Sequence, residues 1–158
     1  RGRPVTARGP APEWWETPAG ADQMRFRCTM CGSCCSGPEG YVVVNDAEVD
    51  AMAAAIGIER GEFLFRYTHL TSRGRSLRDV QTARGHDCVF LDRTSSPGRA
   101  LCRVYQARPA QCRTWPFWPS ILASEDSWRR AKSVCPGMGK GPPVPLQQVR
   151  VLRDEVDV

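Results

Sequence analysis

Four of the eight cysteines of this 158-residue chain fall within eight positions, in Cys28-Thr29-Met30-Cys31-Gly32-Ser33-Cys34-Cys35. Thiolates are the preferred ligands of zinc and of iron–sulfur clusters, and a CxxC turn lets two sulfurs converge while the amides between them point at those sulfurs. Here the turn is repeated at once through Cys28, Cys31 and Cys34, and Cys35 follows as a fourth thiol. Adjacent side chains leave most backbones in different directions, so Cys34 and Cys35 are expected to serve different partners. Cys88, Cys102, Cys112 and Cys135 are spread over the second half of the chain. The rest of the fold is expected to close back onto the cysteine knot.

Three chemistries compete for these thiols. Disulfides suit an oxidising compartment, but thiols clustered within one turn pair poorly with each other. Zinc in two four-thiolate sites would use all eight, yet such sites are usually built from two separate CxxC knuckles and only one region supplies them here. Only His69 and His86 could substitute for a thiol. An iron–sulfur cluster matches better: three cysteines at CxxCxxC plus a remote Cys-Pro is a [4Fe–4S] arrangement, and Cys28, Cys31, Cys34 and Cys135-Pro136 reproduce it. A [4Fe–4S] cluster is therefore preferred, with Zn2+ as the alternative. On spacing alone, the other four cysteines form a second site or remain buried thiols, Cys88 above all.

The chain resembles the CxxCxxCC cysteine-cluster family, a domain described as chelating zinc or iron. The resemblance rests on Phe26 to Cys35, Gly40-Tyr41-Val42, Cys88-Val89-Phe90-Leu91, Cys102-Arg103-Val104-Tyr105, Arg108 to Trp118 and Cys135-Pro136-Gly137, and it covers about residues 25 to 141. It implies a metal role for all eight cysteines, including Cys88 and Cys112. Flagellin lysine methylases are similar to this domain, which keeps an enzyme in view, but the family as a whole names no reaction.

Beside the cysteines, Arg108, Arg113, Trp115 and Trp118 form a segment able to stack on and bind an anion or nucleotide-like cofactor. Arg108, Arg113 and Trp115 are the candidate cofactor-binding residues. The plainer reading has the arginines donating to sulfurs or carboxylates while the tryptophans keep water off the metal.

The elements that must position these groups are short. Fourteen glycines and thirteen prolines imply many turns, and the expected fold is a loop-rich α+β domain with two or three helices and a short antiparallel sheet. Asn45 with Glu48 is a capping-box pattern, and Val49, Met52, Ala53 and Ile56 follow at helical spacing up to Gly57. Further helices are expected over Arg60 to Tyr67 and from near Ser124 to Ser133. Tyr41 to Val44 reads as a strand, Cys88–Leu91 and Leu101–Val104 as a hairpin, and Thr71 to Arg84 as a loop or weak strand. The expected organisation is an extended arm over 1–24, the metal-binding domain over 25–141 and a tail over 142–158, in which Val149, Leu152 and Val156 are faintly helical.

No run of 18 or more apolar residues is present, so no membrane span is expected. The net charge of +5 is modest and dispersed, which favours a solvated surface over a nucleic-acid partner. Basic residues with no acid before Glu13 suit the end of an organelle transit peptide. That places the chain in mitochondrion or plastid, with the cytoplasm as the alternative. The arm carries Trp14-Trp15, two large apolar side chains in need of cover: packing back on the domain is the favoured reading for the pair, and one or both of arm and tail are expected against other subunits of a multi-protein assembly, with an arm folded back onto its own domain as the alternative. With no Ser–His–Asp grouping or phosphate loop in the sequence, the leading function is a non-catalytic, metal-cluster-binding accessory protein. A cluster-dependent enzyme resembling protein-lysine methylases and an electron-transfer protein are the alternatives.

Overall fold

A computed structural model of the chain describes residues 11–158; the first ten residues of the expected arm lie outside it. Trp14–Glu16 form a 3₁₀ turn, α1 covers Pro18–Gln23, and β1 is Arg25–Phe26. The cysteine stretch supplies only a 3₁₀ turn, Ser33–Cys35, leading into β2 (Ser36–Gly37). Helices α2 (Asp46–Ile56) and α3 (Arg60–Tyr67) precede two hairpins, β3 (Thr68–Thr71) with β4 (Gly74–Leu77) and β5 (Asp79–Thr82) with β6 (Gly85–Cys88). Then come β7 (Leu91–Asp92), β8 (Leu101–Cys102), α4 (Ala110–Arg113), α5 (Pro119–Leu122), α6 (Glu125–Val134), β9 (Met138–Pro143) and α7 (Leu146–Asp154).

The expected α+β class holds, as four small antiparallel sheets: β1 with β9, β2-β6-β5, β3 with β4, and β7 with β8. Helices are more numerous than the two or three that periodicity predicts, because α1, α4 and α5 are six residues or fewer and too short to show a period. The capping box of α2 forms as expected. Asn45 Oδ1 accepts from Glu48 N–H at 2.9 Å, Glu48 Oε2 accepts from Asn45 N–H at 2.9 Å, and Gly57 ends the helix at φ 70°. The second carboxylate oxygen of Glu48 accepts from Ala110 N–H at 2.7 Å, so the same residue anchors the start of α4.

Two local expectations are corrected. Residues 41–44 are extended beside β4 but make a single bridge, Val43 to Ser76. Two of their amides go to side chains, Val42 N–H to Ser76 Oγ and Val43 N–H to Gln111 Oε1, while Val44 N–H donates to Arg75 O at 2.9 Å and Val42 O accepts from Leu77 N–H at 3.0 Å. Residues 71–84 fold as hairpins built on a repeated turn, Thr71-Ser72-Arg73-Gly74 and Thr82-Ala83-Arg84-Gly85. In each, the Thr hydroxyl donates to the Gly carbonyl and accepts from the Arg amide, with Gly74 at φ 119° and Gly85 at φ 108°.

The chain packs round two hydrophobic cores. The first holds Trp15, Met24, Phe117, Ile121, Leu122, Trp128, Cys135, Met138 and Val149, drawn from the first described residues, α5, α6, β9 and α7. The second holds Val44, Val49, Met52, Ala53, Phe63, Leu77, Phe90 and Val104. The extended arm is thus corrected for its described part: Trp15 is fully buried and Trp14 Nε1–H donates to Leu122 O at 2.6 Å. Val149 of the tail is fully buried in the same core. The two tryptophans thus pack back on their own domain, Trp15 fully buried and Trp14 partly so, which is the favoured reading of the pair.

Candidate metal centre

The cysteine stretch is shaped by turns. Met30 N–H points at Cys28 Sγ at 3.4 Å and Ser33 N–H at Cys31 Sγ at 3.5 Å, which is the amide-to-sulfur pattern expected of CxxC turns. Gly32 sits at φ 78°, and a Cβ there would lie 2.7 Å from Ala100 Cβ and 3.3 Å from Arg93 Nη1. Only glycine lets the turn pass beneath the loop that joins β7 to β8. Ala100 N–H donates to Met30 O at 2.8 Å and ties that loop to the turn.

All eight cysteines are free thiols. Six of them, Cys28, Cys34, Cys35, Cys88, Cys102 and Cys112, line one cavity of about 250 Å³. β6 presents Cys88, β8 presents Cys102 and α4 presents Cys112. The remaining wall includes Leu77, Phe90 and Val104 of the second core and Trp115 and Trp118, which pack against the first. Cys34 Sγ and Cys35 Sγ are 3.7 Å apart, so the two neighbours face one cavity instead of diverging toward separate partners. Cys31 is exposed and lies outside the lining. Cys135 caps α6 and is buried in the first core.

The thiols differ in acidity. Cys34 is drawn down to about 7, chiefly because the Cys35 thiol donates to it, with the charge of Arg108 helping. Cys35 is pushed up for the same reason, since it supplies that hydrogen. Burial lifts Cys88 to about 11 and also raises Cys102 and Cys112. Without a metal, Cys35, Cys88, Cys102 and Cys112 hold their protons more tightly than an ordinary thiol. A thiophilic cation entering the cavity must displace their protons.

The donor set fits a thiolate-held metal group. Six sulfurs in a mainly apolar wall are soft ligands, and few other ligands call for them. Among the described residues, no three Cys, His, Asp or Glu side chains already converge on one ion position; the thiols ring a space instead. Trp115 Nε1 is buried without a hydrogen-bond partner on a side chain of this wall, a donor available to a sulfur acceptor. Trp128 Nε1 shares that condition in the first core, so the thiols and not the indole make the case.

The candidate cofactor-binding residues divide. Arg108 lines the cavity, with its guanidinium 3.8 Å from the Tyr105 ring centre and Nε donating to Tyr105 O. Trp115 lines it too, edge-on to Trp118 at 4.9 Å. Arg113 points elsewhere, pairing with Glu155 at 3.0 Å. Sequence reasoning missed Gln111, whose amide joins Val43 N–H to Tyr41 O at the cavity wall. It also missed Arg93, Asp87 and Ser36, whose side chains meet beside the cysteine turn. Their separation in sequence leaves no spacing signal.

A family model named CxxCxxCC, described as "Putative zinc- or iron-chelating domain", matches residues 27–136. No solved structure matches the chain. Among the described residues, no helix is long and apolar enough to cross a membrane.

Proposed function

Because this chain belongs to the CxxCxxCC family of zinc- or iron-chelating domains, we propose that it holds a thiolate-bound metal centre in the cavity between its two cores, as a structural part of an accessory protein. The ligands are drawn from Cys28, Cys34, Cys35, Cys88, Cys102 and Cys112. The observation that carries this reading is the shared wall: Leu77, Phe90 and Val104 belong both to the second core and to the thiol cavity. Filling that cavity is then part of folding, which is how structural metals contribute stability.

The preferred occupant is an iron–sulfur cluster, on different grounds from the spacing. Cys31 and Cys135-Pro136, which completed the bacterial-type pattern, lie outside the cavity. Its six thiols instead ring a space of about 250 Å³, several times the roughly 30 Å³ share of one water. That suits a polynuclear core better than one ion. Zinc is favoured by one specific distance, since the 3.7 Å between Cys34 Sγ and Cys35 Sγ approaches the edge, about 3.8 Å, of a tetrahedron with Zn–S of about 2.3 Å. Arg108, Trp115 and Trp118 shield the centre in either case. Anaerobic purification followed by metal, acid-labile sulfide and optical measurement tests the proposal. Iron and sulfide in equal amounts support the cluster, zinc without sulfide replaces it, and a chain that takes up neither overturns the metal centre.

A further inference from the structure

The proposed ligands come from segments far apart in the chain, and something must hold those segments in register. Cys34 and Cys35 end the cysteine turn, Cys88 ends β6 and Cys102 lies on β8. One side chain that is not a cysteine reaches two of these places. Arg93, in the loop between β7 and β8, donates from Nε to Asp87 Oδ2 at 2.8 Å and from Nη2 to Asp87 Oδ1 at 3.2 Å. The same Nη2 donates to Ser36 Oγ, whose hydroxyl donates onward to Gly32 O at 2.9 Å. Asp87 immediately precedes Cys88, and Ser36 immediately follows Cys35.

The fork is shielded as well as directional. Asp87 is 7% exposed and the Arg93 side chain 27%, and a carboxylate so enclosed is stable only with its cation in place. A bidentate guanidinium–carboxylate pair fixes orientation as well as distance, which a lysine ammonium does not. β2 and β6 already bring Ser36 opposite Asp87 through the backbone, but a two-residue strand is a weak clamp by itself. Arg93 adds a side-chain bolt across the same joint. The far end of its loop is tied to the cysteine turn through Ala100 N–H and Met30 O.

We propose that Arg93 is a positioning residue for the metal centre. Its fork to Asp87 and Ser36 sets the cysteine turn against Cys88, so that losing it loosens the hold on metal while every ligand remains. The inference rests on the proposed function, and the experiment separates the two. The full chain is loaded with Zn2+ and, separately, with iron and sulfide; metal per chain and the rate of metal loss to excess chelator are measured beside the melting temperature of the metal-free protein.

Arg93→Met is expected to release metal at least about tenfold faster than wild type, the usual scale for losing a group that orients ligands. Arg93→Lys should fall between them, and Ser36→Ala should move the rate in the same direction by less. Asp92→Asn is the control. Asp92 accepts from Thr94 and Ser95 within the same loop and, in those bonds, touches neither joined segment. It should lower the melting temperature with metal release at the wild-type rate. Release from Arg93→Met at the wild-type rate overturns the proposal, as does equal acceleration in Arg93→Met and Asp92→Asn for equal losses of melting temperature. Should Arg93→Met fail to fold, Arg93→Lys and Ser36→Ala carry the same comparison. A wild-type chain that binds no metal overturns the function from which this inference starts, and does so before any variant is compared.

Discussion

The two cores solve the same packing problem in different ways. The first is closed by its own side chains: Trp14, Phe117 and Trp128 pack ring to ring at 5.9–6.1 Å, and Trp15, Met24 and Val149 are fully buried around them. Cys135 is enclosed there as a small apolar residue among aromatics. The second stacks Phe63, Tyr67 and Phe90 at 4.9–5.8 Å against α2, then opens onto a cavity walled by thiols. The difference teaches that burial of a cysteine does not place it at the shared cavity. Cys135 is the most deeply buried of the eight and belongs to the closed core, while exposed Cys28 and Cys34 line the thiol cavity.

The comparison breaks most readily at the first core. Deleting residues 1–22 removes Trp14 and Trp15, and a buried tryptophan cut to alanine already costs about 3–5 kcal/mol. The shortened chain should therefore unfold at markedly lower urea concentration, and chelator should leave the loss unchanged. An unaltered urea midpoint would show that these residues do not hold the first core together.

Metal removal probes the second core. A ligand at one hundred times its dissociation constant stabilises a fold by about 2.7 kcal/mol, so chelator should lower the wild-type melting temperature by several degrees. Cys88→Ser and Cys112→Ser should abolish most of that difference. Cys31→Ser and Cys135→Ala should keep wild-type metal content, because neither position lines the cavity. A Cys31→Ser chain that unfolds would restore the sequence-based expectation that every thiol of the knot is a ligand.

How much of this was legible depended on the range of the signal. Local chemistry read well. Asn45, Glu48 and Gly57 bound α2 as their types demand, Arg60–Tyr67 forms α3, and Ser124 caps α6 by accepting from Ser127 N–H at 3.1 Å. The CxxCxxCC stretch pointed to metal before any fold was known. The turns of β3–β4 and β5–β6 were not legible although both read Thr-x-Arg-Gly, because their strands carry Arg, Asp and Gln instead of an alternating apolar pattern. Which thiols share the cavity was not readable from spacing. Cys135-Pro136 has the right neighbour for a cluster ligand, but the packing of α6 against Trp15 and Val149 places it in the other core. The Arg93 fork was invisible for the same reason, since its partners meet only after β2 pairs with β6.

The acidity of the thiols sharpens the comparison in alkaline solution. Burial holds Cys88 near 11, above the ordinary thiol value of 9.0, and shifts Cys102 and Cys112 the same way. The folded state then binds these protons more tightly than the unfolded chain. The stability this contributes is fully present below about pH 9 and is lost as pH rises through about 11. Cys34 has the opposite sign: its contribution is present above the ordinary thiol value and fades as pH falls through about 7. Metal-free protein under a reductant should therefore lose melting temperature between about pH 9 and 11. Metal-loaded protein should hold nearly level there, because bound thiolates have no proton to lose. Parallel decline in both forms would mean that the buried thiols are not the ligands.

The smallest effect belongs to the seam that closes the first core. Arg150 on α7 donates to Glu16 Oε1 from Nε at 2.8 Å and from Nη2 at 2.5 Å, joining the first described residues to the tail. The Arg150 hydrogen bond, helped by one from Glu13 N–H, holds the Glu16 carboxyl below its ordinary 4.5. A depressed carboxyl contributes stability that is present above that ordinary value and disappears as pH falls through the lower, folded one. Since Arg150 is about half exposed, salt and solvent keep the contribution small. Glu16→Gln should thus melt slightly below wild type at pH 6 in low salt, with the gap closing toward pH 3 and in high salt. A gap that persists under both conditions would assign the seam to packing of the side-chain stems instead of charge. Metal content should be the same in both proteins throughout, because this contact closes the core that needs no added group.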